Sequence, residues 1–196
     1  MKTLFSDMWA SVALTLVFLL LLCGAYPLAV WAGAQALFPA KANGSLIVDK
    51  DGTVRGSALL AQNFASAKYF QPRASAAGTG YDATSSSGTN LGPTSQKLND
   101  SVKAAVAAYR TSNGLDATTP VPADAVTSSA SGLDPHISIA NAFIQSSRVA
   151  KARGIPLQRV RDLMEQNTDG RDLGILGEAG VNVLRLNVAL DKEGGS

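Results

Sequence analysis

The sequence predicts an α+β protein: one N-terminal transmembrane helix followed by a single mixed α+β domain outside the cytoplasm. Three observations predict it. No charged residue occurs from Met8 to Ala40, and an uncharged apolar run beyond about 18–20 residues is long enough to cross a bilayer as a helix. No second run of this kind follows, so the rest of the chain lies on one side of the membrane. That rest mixes amphipathic helical patterns with short strand-like runs and Ser/Gly/Pro-rich connections. The expected division is a short cytoplasmic N-terminus at residues 1–7, an anchor at 8–34 and a soluble domain at 35–196.

Within the anchor, Trp9 and Trp31 flank the apolar core. At 1.5 Å per residue they stand roughly 33 Å apart, near the thickness of a hydrocarbon core, as an aromatic belt requires. Pro27 is placed to kink the helix or mark its exit. A cleaved signal peptide is the rival reading, with Ala32-Gly33-Ala34 and Ala40-Lys41-Ala42 as cleavage-like triplets; the length of the run favours a retained anchor. Leu22 before Cys23 is too large for a lipoprotein site. Lys2 and the terminal amine favour a cytoplasmic N-terminus, and the Cys-free remainder suits either redox compartment.

Composition excludes several chemistries. The 196 residues carry a formal charge of +2, one histidine (His136) and one cysteine (Cys23). This balance argues against nucleic acid as a partner. Zinc centres of Cys and His are excluded, as is a Cys–His nucleophile pair in the soluble part. Neither a GxxxxGK[ST] loop nor GxGxxG occurs.

After the anchor, Ser45 to Gly56 reads as a hairpin turning at Asp51-Gly52. Ser57 is expected to cap a short helix through Leu59, Leu60 and Phe64, and Tyr69-Phe70 to end a strand that buries both rings. Residues 74–96 carry one charge, Asp82, and read as a long Ser/Gly-rich loop, either a flexible surface or a presenter of backbone N–H groups. Behind a Thr94/Ser95 cap, Leu98, Val102, Val106 and Tyr109 form one stripe of a helix ending at Asn113-Gly114. Residues 111–138 are irregular, broken by Pro120, Pro122 and Pro135. Ser138 caps a helix that Gly154 ends. Pro156 opens another, with Leu157, Val160, Leu163 and Met164 on one face. Val181 to Leu190 alternates and reads as a strand, with Asp191 to Ser196 as a tail.

One constellation invites a catalytic reading. Ser131, Asp134 and His136 fall within six residues, the types of a serine hydrolase, and a membrane-anchored extracytoplasmic hydrolase is the alternative function. No Gly-x-Ser-x-Gly elbow accompanies them. The competing reading is a structural proline turn.

Six stretches stand in a fixed order: Tyr69-Phe70 with Arg73 and Ser75; Ser87 to Thr94, including Asn90 and Gly92; Ser131 to Ser138, including Asp134 and His136; Arg148-Val149-Ala150 with Ala152-Arg153-Gly154; Leu176-Gly177-Glu178; and Val181 to Leu184 with Leu186-Asn187. Together they resemble one family, the C subunit of the bacterial high-affinity potassium-transporting P-type ATPase, the Kdp system. Ala74 and Ala179-Gly180 depart from the family pattern. The resemblance implies a non-catalytic subunit of a potassium import pump in the bacterial plasma membrane, assembled with an ion-channel-like and an ATP-hydrolysing subunit. It further implies a chaperone-like role that raises ATP affinity, no tightly bound cofactor, and ATP reached through the catalytic subunit. By the same resemblance Gln145 is matched to a nucleotide contact. An exported domain conflicts with that, since cytoplasmic ATP would be out of its reach.

Overall fold

In the computed structural model, which describes residues 2–193, the chain divides into two compact units, residues 1–46 and 47–196. The first unit is dominated by one continuous helix. It comprises α1 (Lys2–Leu20), a π-helical turn (Leu21–Ala25) and α2 (Tyr26–Leu37), with a short α3 (Pro39–Ala42) behind it. From Thr3 to Leu37 it is long and apolar enough to cross a membrane, and its most apolar stretch is exposed among the described residues. The π turn explains how Pro27 fits mid-helix. Proline lacks an N–H and crowds the carbonyl one turn back, and the N–H of Tyr26 bonds instead to the carbonyl of Leu21, five residues earlier. The extra residue in that turn absorbs the clash.

The second unit is α+β. Strands β1 (Leu46–Val48) and β2 (Val54–Ser57) form the expected hairpin, with Gly52 in its turn at φ 83°. Helix α4 (Gln96–Asn113) starts on Ser95, whose hydroxyl accepts from the N–H of Leu98, and stops at left-handed Gly114. Of its apolar stripe only Tyr109 is buried. A one-turn α5 (Ala123–Val126) precedes β3 (His136–Ser138). Next come α6 (Ile139–Arg153), capped by Ser138 and closed by left-handed Gly154, and α7 (Leu157–Gln166) behind Pro156. Strands β4 (Thr168–Asp169) and β5 (Gly180–Asn182) complete an antiparallel sheet of order β3-β5-β4, with Ile137 opposite Val181 and Thr168 opposite the same residue.

The C-terminal reading requires correction. Val181 to Leu190 is not one strand: after β5 it becomes helix α8 (Val183–Glu193). The alternation of leucines hides a second period. Val183, Leu184, Leu186, Asn187 and Leu190 are the buried set, spaced one, two, one and three apart, which is one face of a helix and not of a strand. The switch is marked by Asn182, whose side chain accepts from the N–H of Arg185 as an N-cap does. Asp191 to Glu193 therefore belong to α8, not to a tail; Arg153 pairs with Asp191 and Arg159 with Glu193. Residues 194–196 lie outside the described residues.

Two smaller expectations also give way. Ser57 bonds the N–H of Leu59 across a turn, and no helix follows it. Tyr69-Phe70 ends no strand: Phe70 is fully buried, while the half-buried Tyr69 packs on Phe64, under the Arg153 guanidinium. The core is built by Phe70, Ile137, Val149, Val160, Leu163, Val181, Val183, Leu186 and Leu190, from α6, α7, α8, the sheet and the buried ring of the 58–73 segment.

Candidate functional site

Helix α6 carries two faces. One supplies Ala142, Val149 and Ala150 to the core. The other presents Asn141, Gln145 and Arg148, running on from the cap Ser138. The spacings of three, four and three put all four on one side of a helix. A polar stripe that is buried must be matched bond for bond, because an unpaired buried polar group costs about 1–3 kcal/mol.

The match is the irregular segment of residues 67–73, which leaves a turn at Ala67-Lys68 and has no strand neighbour. The Gln145 amide brackets Gln71: its Oε1 accepts from the backbone N–H at 2.8 Å, and its Nε2 donates to the carbonyl at 3.1 Å. The other two bonds of Gln145 go to Arg148 Nη2 at 2.8 Å and Asn141 Oδ1 at 2.9 Å. All four positions of the amide are thus filled. Asn187 of α8 does the same one residue earlier, accepting from the Phe70 N–H at 2.8 Å and donating to its carbonyl at 2.9 Å. Arg148 donates to the carbonyls of Ala67 and Tyr69, Arg153 to that of Lys68, and Asn182 to that of Ala58. Side chains of α6 and α8 do for this segment what a neighbouring strand does in a sheet.

At its N-terminal end the polar face meets Asp124 of α5. This carboxylate accepts from the Ser138 N–H, the Ser138 hydroxyl and Asn141 Nδ2, all within 2.9 Å. Tyr109 of α4 donates to Asn141 Oδ1 at 2.8 Å, and burial pushes its phenol pKa far up. The network therefore ties α4, α5, α6 and the 67–73 segment together.

A second group is ionic. His136 stands between two carboxylates: its Nε2 is 2.8 Å from Asp169 Oδ2, and its Nδ1 is 3.7 Å from Asp134 Oδ1. Arg73 pairs with Asp134 at 3.2 Å, and Arg185 contacts Asp169. The Asp134 and then the Asp169 carboxylate raise the imidazole pKa against the effect of its burial. Burial pushes Asp134 upward, but His136 and Arg73 outweigh it and hold the carboxyl below its usual range; Asp169 is lowered likewise by His136 and Arg185. Asp134, His136 and Asp169 line a cleft of about 680 Å³ with Asp172 and Glu178.

The arrangement does not build a hydrolase. Both ring nitrogens of His136 face carboxylates. Ser131 points elsewhere, its hydroxyl accepting from the Leu133 N–H and its carbonyl from Ser86 and Ser87. Asp134 also accepts from the His136 backbone N–H at 3.0 Å, the local bond of an Asx turn across a proline. Among the described residues no group of three His, Cys, Asp or Glu side chains is arranged to hold a metal ion.

Of the residues singled out from the sequence, the fold brings Gln145 together with Arg148, and Asp134 with His136 near the exposed Glu178. Asn90, in the left-handed region at φ 52°, and Gly92 stay in the surface loop outside both groups. Asp124, Asn141, Asp169 and Arg185 are not singled out by the sequence, and Asn187 stands there only within a family-like stretch, with no role. The polar stripe 138, 141, 145, 148 was the available signal for Asn141; nothing local marks Asp124 or Asp169, whose partners are 14 and 33 residues away in sequence.

Comparison with known proteins matches residues 8–192 to the family described as KdpC: K+-transporting ATPase, c chain. The potassium-transporting ATPase KdpC subunit of Mycobacterium tuberculosis (strain ATCC 25618 / H37Rv) is 54% identical over 182 residues, 93% of this chain and 96% of the relative. The subunit of the same name from Myxococcus xanthus is 55% identical over 170 residues, 87% of this chain and 80% of the relative. That of Rhodospirillum rubrum is 57% identical over 168 residues, covering 86% of each.

Proposed function

The chain belongs to the KdpC family, the c chains of K+-transporting ATPases, and from that premise we propose that it works as the accessory, non-catalytic subunit of a potassium pump. The supporting observation is identity of 54% spread over 93% of the chain, which takes in the exposed apolar helix as well as the domain. An exposed apolar helix of this length needs lipid or other spans around it. In this reading the chain sits in the plasma membrane with residues 1–7 in the cytoplasm and the α+β domain outside, associated with ion-channel-like and ATP-hydrolysing subunits. It stabilises their complex and raises its ATP affinity.

Gln145 enters this proposal as the residue that shapes the domain. With 1% of its surface exposed and four bonds filled, it influences nucleotide affinity through the 67–73 segment that it holds. The test is to express the pump with and without this chain and to measure co-purification in detergent, low-potassium growth and the KM for ATP. Loss of the chain is expected to break up the complex and raise the KM. A complex of unchanged stability and KM overturns the proposal.

A further inference from the structure

Between β4 and β5 the chain makes a hairpin that points no apolar side chain inward. Its tip, Leu173-Gly174-Ile175-Leu176, exposes Leu173 by 88%, Ile175 by 75% and Leu176 by 57%. The tip is built, not loose: Asp172 and Leu176 exchange both backbone bonds at 2.9 Å, and Ile175 N–H bonds the Asp172 carbonyl. Leu173 sits at φ 54°, a left-handed conformation that Asn, Asp or Gly adopts more easily than leucine. Three large aliphatics on a closed, strained turn are presented mostly to solvent and take no part in the domain's core.

The charges around the tip select the occupant. Asp169 is held by Arg185 and His136, whereas Asp172 and Glu178 carry no ion pair among the described residues. The loop has one cation, Arg171, and no Lys, Trp or Tyr. Segments that enter anionic lipid are basic and aromatic-flanked, so this tip is poorly made for a membrane surface. It suits an apolar hollow rimmed by cationic side chains, since complementary charge around a buried aliphatic anchor fixes the docking register. We propose that Leu173, Ile175 and Leu176 dock into such a hollow on a companion subunit of the pump, with Asp172 and Glu178 meeting its basic rim. This rests on the accessory-subunit reading above.

The full chain, expressed with its companion subunits, carries Cys23→Ala and Leu173→Cys, is labelled with a benzophenone maleimide and is irradiated in native membranes. An adduct with a different pump subunit is expected. Adducts with lipid only, with a second copy of this chain, or with nothing overturn the proposal. In a second arm, Leu173→Asp with Ile175→Asp should lower recovery of the companion subunits by about tenfold or more. Asp172→Lys with Glu178→Lys should act in the same direction. Leu59→Asp, on another exposed apolar residue, should leave recovery unchanged. Failure of the unaltered chain to co-purify at all would sink the parent reading. Normal recovery of every variant, with the unaltered chain recovered, would sink this one alone.

Discussion

Replacing Gln145 by Ala and by Glu removes different halves of its bonding, and the two outcomes separate a clamp from a space-filler. Alanine strands the Gln71 N–H and carbonyl, takes one bond from Arg148 and leaves Asn141 Oδ1 to Tyr109 alone. A loss of about 2–4 kcal/mol is expected, since each unmade buried bond costs about 1–3 kcal/mol and relaxation recovers part. Glutamate keeps the acceptor toward Gln71 N–H and Arg148 but sets its second oxygen against the Gln71 carbonyl and Asn141 Oδ1, two acceptors, in a buried place, so both variants should melt clearly below wild type; equal melting of all three would refute the clamp. His136 gives a prediction in pH. Its folded pKa is raised, so its stabilising contribution is full below its unfolded value and is lost as pH rises through the folded one. Asp134 and Asp169 are lowered, so theirs is present above the unfolded carboxylate pKa and is lost as pH falls through their depressed values. Between these limits the cluster stabilises most. From about pH 6 to 9 the wild-type melting temperature is expected to decline, and His136→Gln should flatten that slope. An identical slope in the variant would remove His136 from the account.

The 67–73 segment sets the behaviour of its element. It is irregular, has no strand beside it, and hangs on Gln145 from one helix and Asn187 from another, on consecutive residues. Once one amide is removed, the neighbouring residue is freer to leave the second. The double variant Gln145→Ala/Asn187→Ala is therefore expected to lose less than the sum of the single losses, by at least about 0.5 kcal/mol, as coupled neighbours do. Strict additivity in chemical denaturation would mean that the two clamps act independently. This element also explains which parts of the fold were legible. The helix starts at Ser95, Ser138 and Pro156, and the stops at Gly114 and Gly154, are local chemistry and stand where the sequence puts them. A segment held by side chains 74 and 117 residues away has no local signature, and Tyr69-Phe70 looked like a strand because half of it is buried. In α8 the leucine alternation was real, but Asn182 and the spacing of Val183, Leu186 and Leu190 decide for helix.

At the scale of the whole molecule the open question is what the long apolar helix touches. Its own chain answers part of it. The hydroxyls of Ser11 and Thr15 donate back to the carbonyls of Asp7 and Ser11, so they hold no proton in reserve for a neighbouring span. Gly24 lies in the π turn, and a Cβ added there meets nothing within 4 Å. A methyl at this position therefore meets open space, and a longer side chain here projects outward where another span would lie. Close approach of two helices in lipid needs small residues at the crossing, and the extra residue of the π turn already leaves the backbone there locally rearranged. If the helix packs on other spans of the pump, Gly24→Leu should loosen the complex while membrane insertion stays normal. Leu22→Ala, two residues away and so on the opposite side of the helix, on an exposed side chain, serves as the control and should have little effect. The measurement is detergent co-purification of the companion subunits with each variant, with carbonate extraction to confirm insertion. Full recovery of the complex with Gly24→Leu would reduce the helix at this depth to a tether and leave assembly to the α+β domain.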